Sequence, residues 1–443
     1  MALARTSRST FSRGVHPRDY KAATADKTSE PMPFVREYVL PLSQNIGSAS
    51  VPIVKAGDRV QRGQQIAVPG GFVSVSLHAP VTGTVTAIEP RPRAGGAMDP
   101  SIVLQTDPFS SQRLPTSQPI DIDAWDRDTL LKAIQHAGIV GLGGAAFPLH
   151  VKLSPPPDKH FDTVIINGCE CEPYLTCDHR IMVERSAALI NSTKLLMRLT
   201  GANRAIIGIE TNKPDAIEAL RSIARAPIEV LPLHVKYPQG AERMLIAAAM
   251  GPEVPAGKLP VDFGFLVSNA GSAVALGDLI ETGKPLIDRM VTVTGPAVAE
   301  PKNLLVPIGT SVSAMLDHCG GLLPSARQVV LGGPMMGMSL SRLDVPLVKG
   351  ASGVLCLDEL APAAGEAGPC IRCSRCVEAC PMSLNPSRLV RLARAGRPED
   401  LERSHIASCF ECASCSFVCP SGIPLVHWLR IGKALTADRK SKQ

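Results

Sequence analysis

The feature that most constrains this chain is a run of cysteines that occurs twice near its C-terminal end. In each run four cysteines follow one another with two, two and three residues between them, and a proline follows the fourth. The second run lies 39 positions after the first, because it begins at residue 409 and the first begins at residue 370. The two runs are Cys370, Cys373, Cys376, Cys380 and Pro381, and Cys409, Cys412, Cys415, Cys419 and Pro420. This repeat predicts one folding unit with two equivalent sets of ligands.

Cysteines in this spacing are typical of two 4Fe-4S clusters. Three thiolates two residues apart can contact one face of a cubane, whereas the turn before the proline carries the fourth thiolate to the other cluster. The predicted ligand sets are Cys370, Cys373, Cys376 and Cys419 for one cluster, and Cys409, Cys412, Cys415 and Cys380 for the second. Structural zinc is the alternative, although four ligands in two pairs would leave the regular triplets unexplained.

Composition excludes several classes of protein. Hydrophobic residues make up 45% of the chain and charged residues 19%, which is typical of an ordered globular protein. We find no run of about 18 uncharged apolar residues and no apolar signal segment near Met1, so we expect neither a membrane span nor secretion. Because thiols stay reduced in the cytoplasm, we do not expect the 13 cysteines to form a disulfide framework.

Positive charge is concentrated in the segment that contains the cysteine runs. Residues 370–443 hold 12 Lys and Arg against 6 Asp and Glu, an excess equal to the +6 of the whole chain. This excess of positive charge predicts an anionic neighbour. The alternatives are an embedded anionic cluster, a partner protein and an anionic membrane surface. The lack of aromatic residues among the basic ones argues against nucleic acid.

Local patterns divide the chain into consecutive units. Residues 1–30 are rich in Ser, Thr and Arg without periodicity, which predicts a mobile arm, with Gly14-Val15-His16-Pro17 as a candidate for a short ordered piece. Short β-branched runs between Gly and Pro predict a small β domain over 31–115, and alternating helical and strand patterns predict an α/β domain with a mostly parallel sheet over 120–288. The remaining predicted units are a small α+β module (289–345), a linker rich in Ala, Gly and Pro (346–368), the cysteine domain (369–435) and a basic tail (436–443).

A glycine-rich motif in the α/β region has the residue types of a phosphate-binding turn. Its sequence is Gly138-Ile-Val-Gly141-Leu-Gly143-Gly144-Ala-Ala-Phe-Pro148, and it follows a predicted helix over Ala124–Ala137. Closely spaced glycines let backbone N–H groups approach a phosphate, and Lys152 would add a positive charge. A turn without a ligand is the alternative.

A second motif follows the predicted buried strand 163–166. Its sequence is Asn167-Gly-Cys169-Glu170-Cys171-Glu172-Pro173-Tyr174. Ligands of open α/β sheets bind beyond the carboxyl ends of the strands, which is where these polar residues are predicted to lie. Zinc binding is an alternative for four residues here, Cys169, Cys171, Cys177 and His179.

Together these motifs resemble the RnfC (RsxC) family, a subunit of the Rnf ion-translocating electron transport complex. The resemblance also includes Cys177-Asp-His-Arg180 and Gly332-Gly-Pro-Met-Met-Gly337, and it covers nearly all of residues 14–430. The central region is similar to the flavin-binding subunit of respiratory complex I. The implied fold is a multidomain α/β protein with small β units: a barrel-sandwich (lipoyl-like) β domain, a Rossmann-like α/β FMN domain, a β-grasp ligand-binding module and a C-terminal double 4Fe-4S ferredoxin-like helical domain. Lipoyl-like carriers present a modified lysine, but the stretch from Pro69 to Leu77 has none, so no covalent cofactor carriage is expected.

The resemblance also implies site residues. Gly141, Gly143, Gly144 and Lys152 would hold FMN from the glycine-rich turn, and Asn167 and Glu170 from the strand end. Glu172 would face the nicotinamide of NADH. Three further cofactor-binding residues match motifs of the complex I subunit, namely Tyr237, Glu242 and Asn269. The sequence departs from that subunit at Cys169 and Ser268, where an acidic residue and an asparagine are usual.

The implied function is the electron-input subunit of a membrane-bound NADH:ferredoxin oxidoreductase. Electrons would pass between NADH, FMN and two 4Fe-4S clusters, with NADH or NAD as the substrate. The implied partners are the membrane subunits of the Rnf complex and ferredoxin, and the implied location is peripheral, on the cytoplasmic side of the bacterial inner membrane. The alternatives are a corrinoid (cobalamin) reductase of the PduS type and a non-catalytic scaffold that binds zinc.

Overall fold

The computed structural model of the chain describes residues 9–115, 119–122, 124–251, 253–359 and 367–441. The strands within these ranges are β1 (Ser29–Pro31), β2 (Glu37–Pro41), β3 (Val51–Pro52), β4 (Arg59–Val60), β5 (Gln65–Val68), β6 (Leu77–His78), β7 (Gly83–Pro92), β8 (Met98–Thr106), β9 (Thr163–Asn167), β10 (Arg204–Glu210), β11 (Ile228–Leu233), β12 (Phe265–Asn269), β13 (Asp288–Thr294), β14 (Lys302–Pro307), β15 (Gln328–Leu331), β16 (Met338–Ser339) and β17 (Gly353–Leu357). The α helices are α1 (Arg127–His136), α2 (Leu149–Lys152), α3 (Cys177–Glu184), α4 (Ser186–Thr200), α5 (Pro214–Ile223), α6 (Glu242–Met250), α7 (Ala270–Thr282), α8 (Val312–His318), α9 (Arg375–Ala379), α10 (Pro386–Arg394), α11 (Pro398–Arg403), α12 (Ser414–Phe417) and α13 (Leu425–Ser441). Short 3-10 helices cover Lys21–Ala23, Pro260–Phe263 and Ile406–Ser408.

The first β unit is formed by two small antiparallel sheets. Their strand orders are β2-β8-β7-β4 and β3-β5-β6. Alternating side chains such as Tyr38, Leu40, Ile102 and Leu104 are buried in a shared core. Gly83 allows β7 to approach β8, because a Cβ atom there would lie 2.1 Å from the carbonyl oxygen of Gln105. The small β domain predicted from the Gly- and Pro-separated runs is confirmed.

The central unit is a four-stranded parallel sheet with helices on both faces. Its strand order is β11-β10-β9-β12, so β10 and β11 lie on one side of β9 and β12 lies on the other. Alternate strand residues face opposite layers: Val164 and Ile166 pack towards α4, α5 and α7, whereas Ile165 packs towards α6. Strands that are buried on both faces explain the continuous apolar runs in the sequence.

The first helix of this unit is shorter than predicted. The pattern predicts a helix over Ala124–Ala137, but α1 begins at Arg127. Asp126 accounts for the difference, because its carboxylate accepts a hydrogen bond from the N–H of Thr129 and caps the helix.

The third unit is built around a six-stranded mixed sheet with the order β1-β14-β13-β17-β15-β16. The predicted linker over 346–368 is wrong for residues 353–357, which form β17 between β13 and β15 in the middle of this sheet. Val354, Leu355 and Cys356 are fully buried there. Residues 360–366 of the predicted linker lie outside the described residues.

The N-terminal segment is ordered where the structure describes it. We call residues 9–31 the N-terminal strap. Phe11 and Val15 are buried against the α/β unit, and β1 pairs in parallel with β14. The prediction of a mobile arm over 1–30 is therefore wrong for residues 9–30, because burial and strand pairing fix them; residues 1–8 lie outside the described residues.

The cysteine runs lie in a C-terminal helical unit. Helices α10, α11 and α13 enclose a core that includes Leu389, Leu401 and Leu429. The predicted basic tail over 436–443 is wrong for residues 436–441, which continue α13. Among the described helices, none combines the length and the apolar character needed to cross a bilayer.

Candidate functional site

The carboxyl ends of β9 and β12 define the place where a ligand is expected. The chain leaves β9 towards β10 and β11 and later returns to the opposite side of β9 as β12. The position between β9 and β12 is therefore a topological switch point of the sheet. A crevice forms at a switch point, because the connections on its two sides lead away from each other. Asn167 and Asn269 end the two strands and lie opposite each other in the sheet register.

The glycine-rich turn lies over this strand edge. The N–H of Gly141 donates to the Phe147 carbonyl at 2.8 Å, which closes the turn. A Cβ atom on Gly143 would lie 3.6 Å from Asn269, so this part of the turn passes close to the end of β12. Gly144 has a φ of 104° and open space beside its α carbon. The turn therefore presents exposed backbone at the switch point, as a phosphate-binding role requires.

Two further predicted residues are joined by an ion pair at this edge. The Lys152 ammonium donates to the Glu242 carboxylate at 2.8 Å and to the Val267 carbonyl of β12 at 3.2 Å. The Asn167 amide donates to the Gly240 carbonyl at 2.7 Å. The structure thus brings the start of α6 next to the ends of β9 and β12.

Glu170 connects the strand-end segment to α3. Its carboxylate accepts hydrogen bonds from the N–H groups of Asp178 at 2.8 Å and His179 at 3.2 Å. The Asp178 carboxylate in turn accepts from the Asn269 amide at 2.6 Å. Burial and the nearby Glu170 charge raise the pKa of Asp178 to about 7. Asp178 is a site residue that the sequence analysis missed, although it lies inside one of the motifs quoted there.

Glu172 contacts the third unit rather than open solvent. Its two carboxylate oxygens accept hydrogen bonds from the backbone N–H groups of Met335 at 3.0 Å and Met336 at 2.8 Å. We call residues 332–337 the GGPMMG turn. Burial raises the pKa of Glu172 to about 7, while these two hydrogen bonds act in the opposite direction. Each carboxylate oxygen keeps a second lone pair, so the group can still face a ligand.

Tyr237 lies between the strand-end segment and the cysteine runs. Its side chain is 1% exposed, and its hydroxyl donates to the carbonyl of Cys412 at 2.7 Å. Burial and the neighbouring Glu172 carboxylate raise its pKa. Val15 and Ala379 complete an apolar cluster with Tyr237, and Met335 packs against it. One tyrosine therefore joins the predicted flavin site to the predicted cluster ligands.

The last cysteine of each run, Cys380 and Cys419, lies beside cysteines of the other run. Burial raises the pKa of Cys415, and the thiols of Cys412, Cys409 and Cys380 add to this effect, so Cys380 lies beside the run that begins at Cys409. Burial likewise raises the pKa of Cys376, with contributions from Cys419 and Cys370. Within the described ranges, no group of three or more His, Cys, Asp or Glu side chains is placed to hold a metal ion. The crossed ligand sets of the two 4Fe-4S clusters therefore stay a prediction from the cysteine spacing.

The second cysteine group of the sequence has other partners. The Cys169 thiol donates to the Gly208 carbonyl at 3.8 Å, and the N–H of Gly240 donates to the Cys171 sulfur at 3.3 Å. The imidazole of His179 pairs with Asp215 at 2.7 Å. These contacts give the zinc alternative at this place no support.

Domain models assign the same units. The match to the RnfC barrel sandwich hybrid domain covers residues 9–108, and the match to the Nuo51 FMN-binding domain covers 134–278. An SLBB domain matches residues 290–339, and a 4Fe-4S dicluster domain matches 369–423. FMN and two 4Fe-4S clusters are the cofactors to which these domains correspond.

Whole-chain comparison decides the family. The chain is 44% identical, over 385 residues, to one component of the proton-translocating ferredoxin:NAD(+) oxidoreductase complex of Clostridium ljungdahlii; the match covers 86% of this chain and 83% of the relative. It belongs to the RnfC family. Two further relatives are components of the Na(+)-translocating ferredoxin:NAD(+) oxidoreductase complex of Acetobacterium woodii (42% identical, 87% of each chain) and of an ion-translocating oxidoreductase complex of Rhodobacter capsulatus (39% identical, 97% of this chain and 84% of the relative).

The contact between Glu172 and the GGPMMG turn gives a direct mutational test. Gly333 has an ordinary backbone φ, but a Cβ atom there would lie 2.3 Å from a Glu172 carboxylate oxygen. We expect Gly333→Ala to displace this carboxylate and to lower the rate of flavin reduction by NADH about tenfold. Stopped-flow spectroscopy under anaerobic conditions measures this rate.

The matched control is Gly71→Ala, since Gly71 is exposed and a Cβ atom there meets its nearest neighbour at 3.5 Å. FMN and iron content should stay at wild-type levels in both variants. A wild-type rate in Gly333→Ala would show that the contact does not affect the reaction.

Proposed function

We propose that this chain accepts a hydride from NADH at the edge formed by β9 and β12 and delivers electrons to the two clusters. FMN, when bound there, converts a two-electron hydride into single electrons. The glycines of the turn (Gly141, Gly143 and Gly144) and Lys152 would hold its phosphate side. The proposed roles of the remaining residues at the strand ends are FMN binding by Asn167, Glu170, Tyr237, Glu242 and Asn269, and nicotinamide contact by Glu172.

The observation that carries this proposal is the hydrogen bond from Tyr237 to the Cys412 carbonyl. It joins the proposed flavin site to the cluster ligands without an intervening domain. Cys409, Cys412, Cys415 and Cys380 would then hold the cluster that accepts electrons first. Cys370 and Cys373 of the other run are exposed, so the second cluster is the proposed exit towards a partner.

The proposed setting is a membrane complex. The names of the relatives describe ion-translocating ferredoxin:NAD(+) oxidoreductase complexes, and by extension the partners here are the membrane subunits of an Rnf complex, with ferredoxin as the other redox substrate. A peripheral position on the cytoplasmic side of the inner membrane follows from that assignment. The relatives compared above are components of such complexes, which gives no support to a corrinoid reductase or a zinc scaffold.

The test of this function is an anaerobic reduction by NADH. We expect the flavin absorbance to bleach first and the cluster absorbance to follow, with iron and acid-labile sulfide present in cluster stoichiometry. Full reduction of the clusters by dithionite but none by NADH would refute the proposal. Reduction of added cobalamin with no electron transfer to membranes would favour the corrinoid alternative.

Glu172 provides a prediction about pH. Because its pKa is raised to about 7, its carboxyl group is mostly neutral below that pH and charged above it. The oxidised nicotinamide ring is cationic and the reduced ring is neutral, so the affinity for NAD relative to NADH should rise as the pH increases through 7. We expect a change of about threefold to tenfold in the wild type and none in Glu172→Gln.

Nucleotide titrations of the FMN-loaded protein between pH 6 and pH 8 measure this ratio. Asp178→Asn is the control, since burial also raises the pKa of Asp178 to about 7. The pH dependence should persist in that variant. A pH-dependent ratio that survives in Glu172→Gln would move the nicotinamide contact to another residue.

A further inference from the structure

Lys21 of the N-terminal strap has an unusual environment. Its side chain is buried, with 6% of the residue exposed. The ammonium donates to the carbonyl oxygens of Glu170 at 3.0 Å and Glu172 at 2.9 Å, and also to that of Leu175. The three N–H groups of the ammonium thus have three carbonyl acceptors, and all three carbonyls belong to the six-residue segment 170–175.

This segment adopts a backbone that needs such support. Glu170 and Tyr174 have φ values of 43° and 69°, in the left-handed region that residues other than glycine rarely adopt. These two turns direct neighbouring carbonyl dipoles towards one point, where they repel one another unless a cation lies between them. Cys169, which precedes this segment, is supported in the same way, because the buried ammonium of Lys213 donates to its carbonyl at 2.6 Å.

Burial of the Lys21 ammonium costs free energy, which argues that this side chain has a role other than packing. Its hydrogen bonds in the described part of the chain go to backbone carbonyls, and a buried ammonium without a hydrogen-bonded carboxylate loses much of its hydration energy. An apolar side chain of similar length would fill the same volume without this loss. The acceptors, in contrast, belong to the segment whose backbone determines where Glu172 points.

We infer that Lys21 is a positioning residue for the nicotinamide site, which acts by holding the segment 170–175 in the conformation that directs Glu172. The inference rests on the proposed function of Glu172. The strap adds a second contact to the segment, because Tyr20 stacks on Tyr174 with ring centroids 4.7 Å apart. A segment that is distant in sequence from the α/β unit therefore determines the geometry at its strand edge.

The experiment compares Lys21→Met with Lys27→Met in the full-length, FMN- and cluster-loaded protein. Lys27 is the matched control, since it lies on the same strap and its ammonium donates to the Pro301 carbonyl at 2.8 Å at an exposed position. We expect Lys21→Met to raise the KM for NADH about tenfold. FMN content, iron content and reduction by dithionite should stay unchanged in both variants, and Lys27→Met should have wild-type kinetics.

Each outcome separates this inference from the proposed function. NADH kinetics of Lys21→Met within twofold of the wild type would overturn the inference, whatever Glu172→Gln shows. Altered kinetics in Lys21→Met beside wild-type kinetics in Glu172→Gln would support the lysine's role for the segment and refute the role of the carboxylate. Equal losses of FMN, cluster content and NADH kinetics would indicate a purely structural role and also overturn the inference.

A second measurement applies where Lys21→Met does not fold. Lys21→Gln retains two N–H donors and can satisfy part of the carbonyl cage. Hydrogen exchange of this variant should be faster than in the wild type over residues 169–176 and unchanged in β10 and β11. Wild-type exchange across 169–176 would overturn the inference.

Discussion

Replacing Cys380 with serine should remove the cluster that is nucleated by the other cysteine run. The thiol of Cys380 lies beside Cys409, Cys412 and Cys415, although it follows Cys376 in the sequence. A hydroxyl is a poor ligand for iron at this position, so the cluster with three remaining thiolates should be lost or degraded. Iron and acid-labile sulfide should fall to about half of the wild-type content.

The consequence for electron transfer is larger than the loss of one cluster. If the lost cluster is the first acceptor after the flavin, NADH should reduce the flavin but no longer reduce the remaining cluster. Dithionite, which does not need the flavin, should still reduce that cluster and give its EPR signal. We expect the rate of cluster reduction by NADH to fall by at least about a hundredfold.

Two further variants complete this test. Cys419→Ser should give the reciprocal result, with loss of the cluster held by the first run. Cys356→Ser changes a buried cysteine in the core of the third unit and should leave both clusters in place. Loss of the first-run cluster in Cys380→Ser would contradict the crossed ligand sets.

Gly143→Val should abolish FMN binding. The position of Cβ is already 3.6 Å from Asn269, and the two methyl groups of valine would occupy the space in which a cofactor has to approach the turn. Gly143 has an ordinary φ, so valine does not strain the backbone by itself. We expect less than about one tenth of the wild-type FMN, with both clusters retained.

The amount of FMN released on denaturation measures this effect. Gly71→Val is the control, because Gly71 also has an ordinary φ, is exposed and lies in the first β unit. It should keep the wild-type flavin content. Stoichiometric FMN in Gly143→Val would mean that the glycines are required only for the turn.

The sequence predicts those features of the fold and site that depend on neighbouring residues. The largely apolar run 163–166 is enough to predict β9, since the run lies within one buried strand. The spacing of the cysteines predicts the separate partners of Cys376 and Cys380 from the geometry of a short turn. Asn167 and Glu172 are found because polar residues follow directly after a buried strand.

Features that depend on distant pairing could not be predicted in this way. β17 is a short, mostly apolar run next to a stretch rich in Ala, Gly and Pro, and its pairing with β13 and β15 is not visible in the local pattern. The same reason applies to β1, which pairs with β14. The hydrogen bonds between Glu172 and the GGPMMG turn join residues 163 and 164 positions apart. The hydrophobic periodicity of the sequence gives no information about a contact between residues so far apart.

The contacts of the N-terminal strap also limit the order in which parts of the protein can fold during synthesis. Arg13 donates to the carbonyl of Val377, 364 positions later, and the N–H of Gly14 donates to the Ala379 carbonyl. The strap residues therefore cannot complete these contacts until the cysteine runs, which follow them in the chain, have been synthesised. Native closure of the strap thus follows the synthesis of the first cysteine run. Contacts this distant in sequence form slowly, and β1 of a nascent chain stays unpaired at least until its partner β14 has been synthesised.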